Sequence, residues 1–373
     1  MHITLRRLIF TVIAVLTCCG VCSAQTTLAT LQLNPYPQAV GFNPVTNNIY
    51  VVDEPTSELV EIDGITFQPT TIPLGATSAN SLDAAIQINP TTNTIYVTNV
   101  VDSKVAIING NTHTVTSAAT GVYPVAMGLN LVTNKLYVVN SGDNTVTVLN
   151  LTTNATKTLK VGTNPGAIAI NPLTDRIYVV NTSDNTLSVI NGANDKVTAT
   201  LAVGNYPQAV VANPVTNTIY VANLLSNNIS IINGNSNSVQ EVPVQPYPYV
   251  MAINVVTNKV YFTHQVGNSV TVLDGATHST TEVPAGFFPE SLAVDQLRNK
   301  IYVADVAGSQ IIDIDGATNT TTTFPQSVEN ISLVSVNPLT NQVFALSVSD
   351  ATITVFGALP APLPVALLEL IGH

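Results

Sequence analysis

Asn43-Pro44-Val45-Thr46-Asn47-Asn48-Ile49-Tyr50-Val51 is the first copy of a phrase that recurs along the whole chain. The second copy is Asn89-Pro90-Thr91-Thr92-Asn93-Thr94-Ile95-Tyr96-Val97. Further copies end at Tyr137, Tyr178, Tyr220, Tyr261, Tyr302 and Phe344, so there are eight in all. Successive aromatics are 46, 41, 41, 42, 41, 41 and 42 residues apart. A period of about 40 residues with several short strands in each period predicts a propeller of β-sheets, because one such unit cannot bury both of its faces alone.

The third period shows the strands. Ala126–Asn130, Lys135–Asn140, Thr145–Asn150 and Lys157–Val161 are short, β-branched and separated by turn residues. Asn-Pro-x-Thr-Asn joins the first two strands: proline presets φ near −65°, and the closing Asn tolerates a left-handed backbone. Asp63-Gly64, Asn109-Gly110, Asn191-Gly192, Asn233-Gly234, Asp274-Gly275 and Asp315-Gly316 join the last two strands. These dipeptides predict tight hairpins with positive φ at both central residues. The Asp313-x-Asp315-Gly316 string resembles a calcium loop only faintly; it lacks downstream acidic ligands, and a plain turn is the better reading.

The eighth period supplies three strands and then turns proline-rich at Ala358–Pro364. The missing fourth strand is present at the other end of the chain. Thr27–Leu33 matches fourth strands such as Thr198–Val203, so it is predicted to pair beside 352–356 and close the ring. The expected fold is an all-β single propeller of eight four-stranded blades over residues 25–357, with seven blades the alternative if the weak eighth unit is expelled. The 46-residue step places extra residues at Ala76–Asp83.

Residues 1–24 read as a secretory signal peptide. Arg6 and Arg7 precede an apolar run from Leu8 to Val21, and Cys22-Ser23-Ala24 supplies small residues at the cleavage site. All three cysteines (Cys18, Cys19, Cys22) lie in this segment, so the mature chain has no disulfide, thiolate metal site or thiol nucleophile. Without Arg6 and Arg7, nine of the 11 basic residues face 22 acidic ones, a net charge of −13. That balance argues against nucleic acid as a partner. The tail Leu363–Ile371 is apolar with Glu369 as its one charge; it is too short to span a bilayer and is expected to pack on the ring. No stable membrane span remains after cleavage on this reading, and the expected state is an extracytoplasmic monomer.

The core Ile-Tyr-Val-x-Asn resembles the extracytoplasmic propeller family named for its Tyr-Val-Thr-Asn repeat. Tyr96-Val97-Thr98-Asn99 is a literal copy, and Tyr137–Asn140, Tyr178–Asn181 and Tyr220–Asn223 are close ones. Val-Gly-x-x-Pro before the first strand, as in Val161–Pro165 and Val203–Pro207, fits as well. The resemblance covers about residues 27–357 and implies a surface or periplasmic propeller with no catalytic motif. Related propellers include lactonases, lyases and haem-carrying domains, so function does not follow from fold.

Two rings of residues fall on one rim, where blade-to-blade loops and the loops between second and third strands meet. The first ring is Tyr36, Tyr123, Asn164, Tyr206, Tyr247 and Phe288, each beside a proline. The second is Asp53, Asn99, Asn140, Asn181, Asn223, His264, Asp305 and Ser347. Together they predict an aromatic and amide-lined mouth suited to a protein, peptide or glycan, with turn capping and packing as the structural alternative. His264 departs from its siblings. With Asp53, Glu54, Asp83, Glu290 or Asp305 it offers a second reading: a metal-assisted lactonase or lyase with a divalent ion at the channel mouth. Trp-based quinone sites and Cys-x-x-Cys-His haem attachment are ruled out, as neither Trp nor that motif occurs. No nucleophile elbow, phosphate loop or His-Glu-x-x-His is present either.

Overall fold

The computed structural model describes residues 25–53, 57–75, 84–264, 266–324 and 328–357. Residues 1–24, read as a signal peptide, the 76–83 insertion and the tail beyond Gly357 lie outside these residues. The described chain forms eight four-stranded antiparallel sheets in a ring. Blade 3 is typical: Pro124–Asn130, Lys135–Asn140, Thr145–Asn150 and Thr156–Lys160 pair in sequence order. The eighth period forms a full blade, so the seven-blade alternative is excluded.

Closure follows the prediction. Thr26–Gln32 pairs antiparallel with Thr352–Gly357, and Thr26 stands opposite Gly357. Leu33, Ile49, Val51, Phe344, Leu346 and Ile353 form one apolar cluster across the seam between blades 8 and 1. The seam is therefore sealed by packing as well as by hydrogen bonds.

Each second strand is buried on both faces. Leu136, Tyr137, Val138 and Val139 have no solvent exposure, nor do Ile177, Tyr178, Val179 and Val180. A strand sandwiched between neighbouring blades needs apolar residues at every position, so these strands read as continuous Ile-Tyr-Val-Val runs rather than as alternating ones. Tyr137 and Val139 of one blade pack with Ile177 and Val179 of the next. Fourth strands such as Thr156–Lys160 face solvent and are Thr- and Lys-rich.

The repeated phrase is an inter-blade latch. The first Asn of one copy donates its amide to the last residue of the Asn-Pro-x-Thr-Asn turn in the next blade. Asn43 reaches Asn93 at 2.7 Å, Asn171 reaches Asn217 at 2.8 Å, and Asn213 reaches Asn258 at 2.7 Å. Asn337 of blade 8 reaches Asn47 of blade 1 at 2.8 Å and carries the latch across the seam. The turn's last residue is left-handed in every blade, from Asn47 (φ 59°) to Asn341 (φ 60°), as its side chain allows. The aliphatic third residue of the turn (Val45, Val132, Leu173, Val215, Val256, Leu297, Leu339) stays in solvent. We call this side the lower face.

The turns between third and fourth strands differ from the prediction. Their glycines do not have positive φ; the left-handed residue comes three positions later, as at Phe67, His113 and Asn237. Asn109 instead accepts from the backbone N–H groups of Asn111 and Thr112, and His113 N–H bonds the Asn109 carbonyl at 2.8 Å. The loop is a longer Asx-capped turn. Its glycine is required by crowding. Gly110 N–H donates to the Asn93 carbonyl at 2.8 Å, and a Cβ there would lie 2.6 Å from Asn93 Nδ2.

Candidate functional site at the upper rim

On the opposite side, the loops between blades lie against the turns between second and third strands. Ser141 N–H bonds the Tyr123 carbonyl, Thr182 N–H the Asn164 carbonyl, and Leu224 N–H the Tyr206 carbonyl. This pairing makes one rim from two loops per blade, as the sequence implied.

The rim divides the two predicted rings. Residues at the ends of second strands are buried: Asp53, Asn140, Asn181, Asn223, His264, Asp305 and Ser347 are at most 1 % exposed. They do not form a ligand-facing surface. Asn140 Nδ2 donates to the hydroxyls of Thr145 and Thr147, both at 3.0 Å. Asn181 does the same with Thr186 and Ser188, and Asn223 donates to the Asn228 amide oxygen and the Ser230 hydroxyl. The free oxygen of Asn181 accepts Gly162 N–H at 3.1 Å, and Asp305 accepts Phe287 N–H at 2.7 Å. Asn181 and Asp305 thus tie the third strand to the inter-blade loop, while beside Asn140 and Asn223 the loop amides of Gly121 and Gly204 donate to the Thr147 and Ser230 hydroxyls directly. The signal was in the sequence as polar partners five and seven positions downstream. Asn99 is less buried and caps its own turn by accepting Asp102 N–H.

His264 performs the same task with reversed polarity. The loop at its position carries Pro246, which has no N–H to offer, so His264 Nδ1–H donates to the Pro246 carbonyl at 3.0 Å. Its Nε2 lies 2.6 Å from Thr271 Oγ1, which lies 2.5 Å from Glu282 Oε1. Phe262 packs edge-on against the ring at 5.4 Å. Burial lowers the His264 pKa, partly opposed by the Pro246 carbonyl and Glu282. Both ring nitrogens are committed and the side chain has no solvent exposure, so His264 offers nothing to a substrate or metal. The lactonase or lyase reading therefore loses His264 as its catalytic or metal-binding residue. Glu54 and Asp83 lie outside the described residues. Glu290 is partly buried, and that burial raises its pKa. Among the described residues no three His, Cys, Asp or Glu side chains form a metal-ligand group. On the lower side, Lys300 sits 3.4 Å from both Asp313 and Asp315, so an ammonium group occupies the faint calcium-loop motif.

The aromatic ring behaves differently. Tyr36, Tyr123, Tyr206, Tyr247 and Phe288 are all exposed, at 59, 43, 42, 41 and 43 %. All five have a left-handed backbone, with φ between 56° and 64°. Asn164 and Asn330 take the same conformation in blades 4 and 8, where the residue type suits it. A bulky side chain does not, and its presence there costs about 1–2 kcal/mol per residue. Blades 5, 6 and 7 carry these aromatics in succession. Leu225, Val266 and Phe287 add exposed apolar surface on the same three blades. The sequence showed the Tyr-Pro pairs; it did not show their strained backbone.

No family model matches the chain, and no curated protein matches it. Solved structures do. Virginiamycin B lyase from Staphylococcus aureus superposes with a TM-score of 0.57 at 12 % identity, covering 74 % of this chain and 94 % of that one. A streptogramin B lyase gives 0.58 at 13 % identity, over 73 % and 92 %. Kuenenia stuttgartiensis hydrazine synthase gives 0.59 at 14 % identity, over 89 % and 98 %. At these identities the likeness is one of fold: the chain is an eight-bladed β-propeller.

Proposed function

We propose that this protein is an extracytoplasmic binding module of the Tyr-Val-Thr-Asn repeat type. Its ligand is a peptide or glycan segment, free or displayed on a larger protein, that lies across the upper rim of blades 5–7. One observation carries the reading: exposed aromatics held on left-handed backbone at equivalent places in successive blades. Strain that the core does not need is retained where it serves a surface. Tyr and Phe present large contact areas at low entropic cost, and Tyr adds a hydroxyl for a polar partner. The acidic composition favours a neutral or basic ligand. His264 and Asp305 hold the loops that present Tyr247 and Phe288.

The test is to probe peptide and glycan arrays with the full chain and with the Tyr206→Ala/Tyr247→Ala/Phe288→Ala variant. At about 1–2 kcal/mol per buried aromatic, binding should fall by at least ~100-fold. A Val45→Ala/Val215→Ala/Val256→Ala variant of the lower face should bind as the parent does. Equal binding by the upper-rim variant and the parent would overturn the proposal.

A further inference from the structure

The lower face carries a cavity of about 600 Å³ at the junction of blades 7, 8 and 1. Phe42, Val294, Leu297, Val336, Pro338 and Leu339 give it an apolar wall. That volume is within the ~300–1,000 Å³ of pockets that bind small ligands. The latch changes here too. Asp295 replaces the Asn, and it holds Arg298 at 2.9 Å. Arg298 in turn donates to the Pro338 carbonyl of blade 8 at 2.6 Å and keeps 39 % of its side chain in solvent. The pocket is therefore apolar, with a partly exposed cation at its margin.

The third strand of blade 8 runs downward and ends at Gly357 on this same face, beside Gln25, which donates to the Asn341 carbonyl of the lower turn. The chain continues from there as Ala358-Leu-Pro-Ala-Pro-Leu-Pro364 and then Val365-Ala-Leu-Leu-Glu-Leu-Ile371. From a third strand to the first strand of its blade is two strand spacings, about 10 Å. Seven residues at ~3.1 Å each reach about 22 Å, which is ample.

We propose that the pocket is the docking site for this chain's own C-terminal segment, with the aliphatic residues of 365–371 covering it and Glu369 facing Arg298. Three independent features agree. The segment is apolar where the pocket is apolar, its one carboxylate has the Arg298 guanidinium at the margin to meet, and it leaves the ring on the right face within reach. Docking there would shield exposed Leu297 and Leu339 and brace the blades on both sides of the closing seam.

The experiment uses the rarity of cysteine. With Cys18, Cys19 and Cys22 changed to serine, the full chain has no thiol. Adding Leu339→Cys and Leu368→Cys should give an intramolecular disulfide in most molecules under mild oxidation, read as a mass loss and a gel shift of the monomer. The control pair Val132→Cys and Leu368→Cys, at the same turn of blade 3, should stay reduced. Both turn residues are exposed, so an unchanged melting temperature before oxidation reports intact folding. A second arm adds Arg298→Glu to the first pair and should lower the disulfide yield several-fold. Equal yields for the two pairs, disulfide only between molecules, or no disulfide at all would each overturn the proposal.

Discussion

The two faces of the ring are built from equally regular repeats, yet they use them in opposite ways. The lower face repeats one solution. The turns between its first and second strands are left-handed at Asn or Asp, which accept that backbone readily, and Asn side chains there bond to the same turn of the next blade. The upper rim repeats a conformation but fills it with residues that resist it, at Tyr36, Tyr123, Tyr206, Tyr247 and Phe288. Where a repeat is filled with the residue that suits its backbone, it serves stability. Where the same backbone is filled against preference, something other than stability selects the side chain.

The largest test of this contrast removes the seam. Deleting residues 25–33 strips blade 8 of its fourth strand and exposes part of the cluster around Ile353 and Val355. The thermal midpoint should fall by 10 °C or more in a calorimetric scan. An unchanged midpoint would show that the latches alone hold the ring. Next in size, Gly110→Ala forces a Cβ against Asn93 and should cost about 1–3 kcal/mol in urea unfolding. No loss would mean that the lower turns are more pliant than their packing indicates.

A pH test separates structure from chemistry at His264. Its folded pKa is lowered by burial from 6.5, so the unfolded chain takes up the proton first. The His264 contribution is complete above 6.5 and is lost as pH falls from there through the folded value, at no more than about 1.4 kcal/mol per pH unit. His264→Gln should flatten that part of the stability–pH curve. An identical curve would show that the proton is accommodated in the buried network. The smallest effect is the most diagnostic. Tyr206→Gly should raise stability by about 0.5–1 kcal/mol by relieving the left-handed strain, while weakening ligand binding. A destabilised variant would put Tyr206 with the structural residues of the lower face.

The Asn-Pro-x-Thr-Asn phrase and the matching strand at Thr27–Leu33 made the blade count, the closure and the second-strand boundaries legible in the sequence. The Asn-Gly turns misled, because the dipeptide rule describes two-residue hairpins; here glycine answers to crowding from Asn93 in another turn, which local sequence does not show. The Asn43–Asn93 latch joins residues 50 apart, and only the assembled ring brings them together. At the candidate site the Tyr-Pro pairs were visible, but their backbone handedness was not, since bulky residues ordinarily avoid it. The sequence places the second-strand residues on this rim and leaves two tasks for them, a binding mouth or turn capping; their burial and hydrogen bonds are those of capping. Polar type suggested a binding surface, whereas their partners five and seven positions downstream hold them inside.

The closing pair also has a mechanical consequence. Thr26 and Gly357 are register partners, so the two ends of the ring leave side by side from one end of one ladder. Tension applied between them loads the ladder's bonds one after another, as in opening a zipper, instead of shearing all of them together. The seam that closes the ring is the first to yield to a pull on both ends, starting at Thr26 and running toward Gln32. A load carried through one end alone leaves that ladder unstressed.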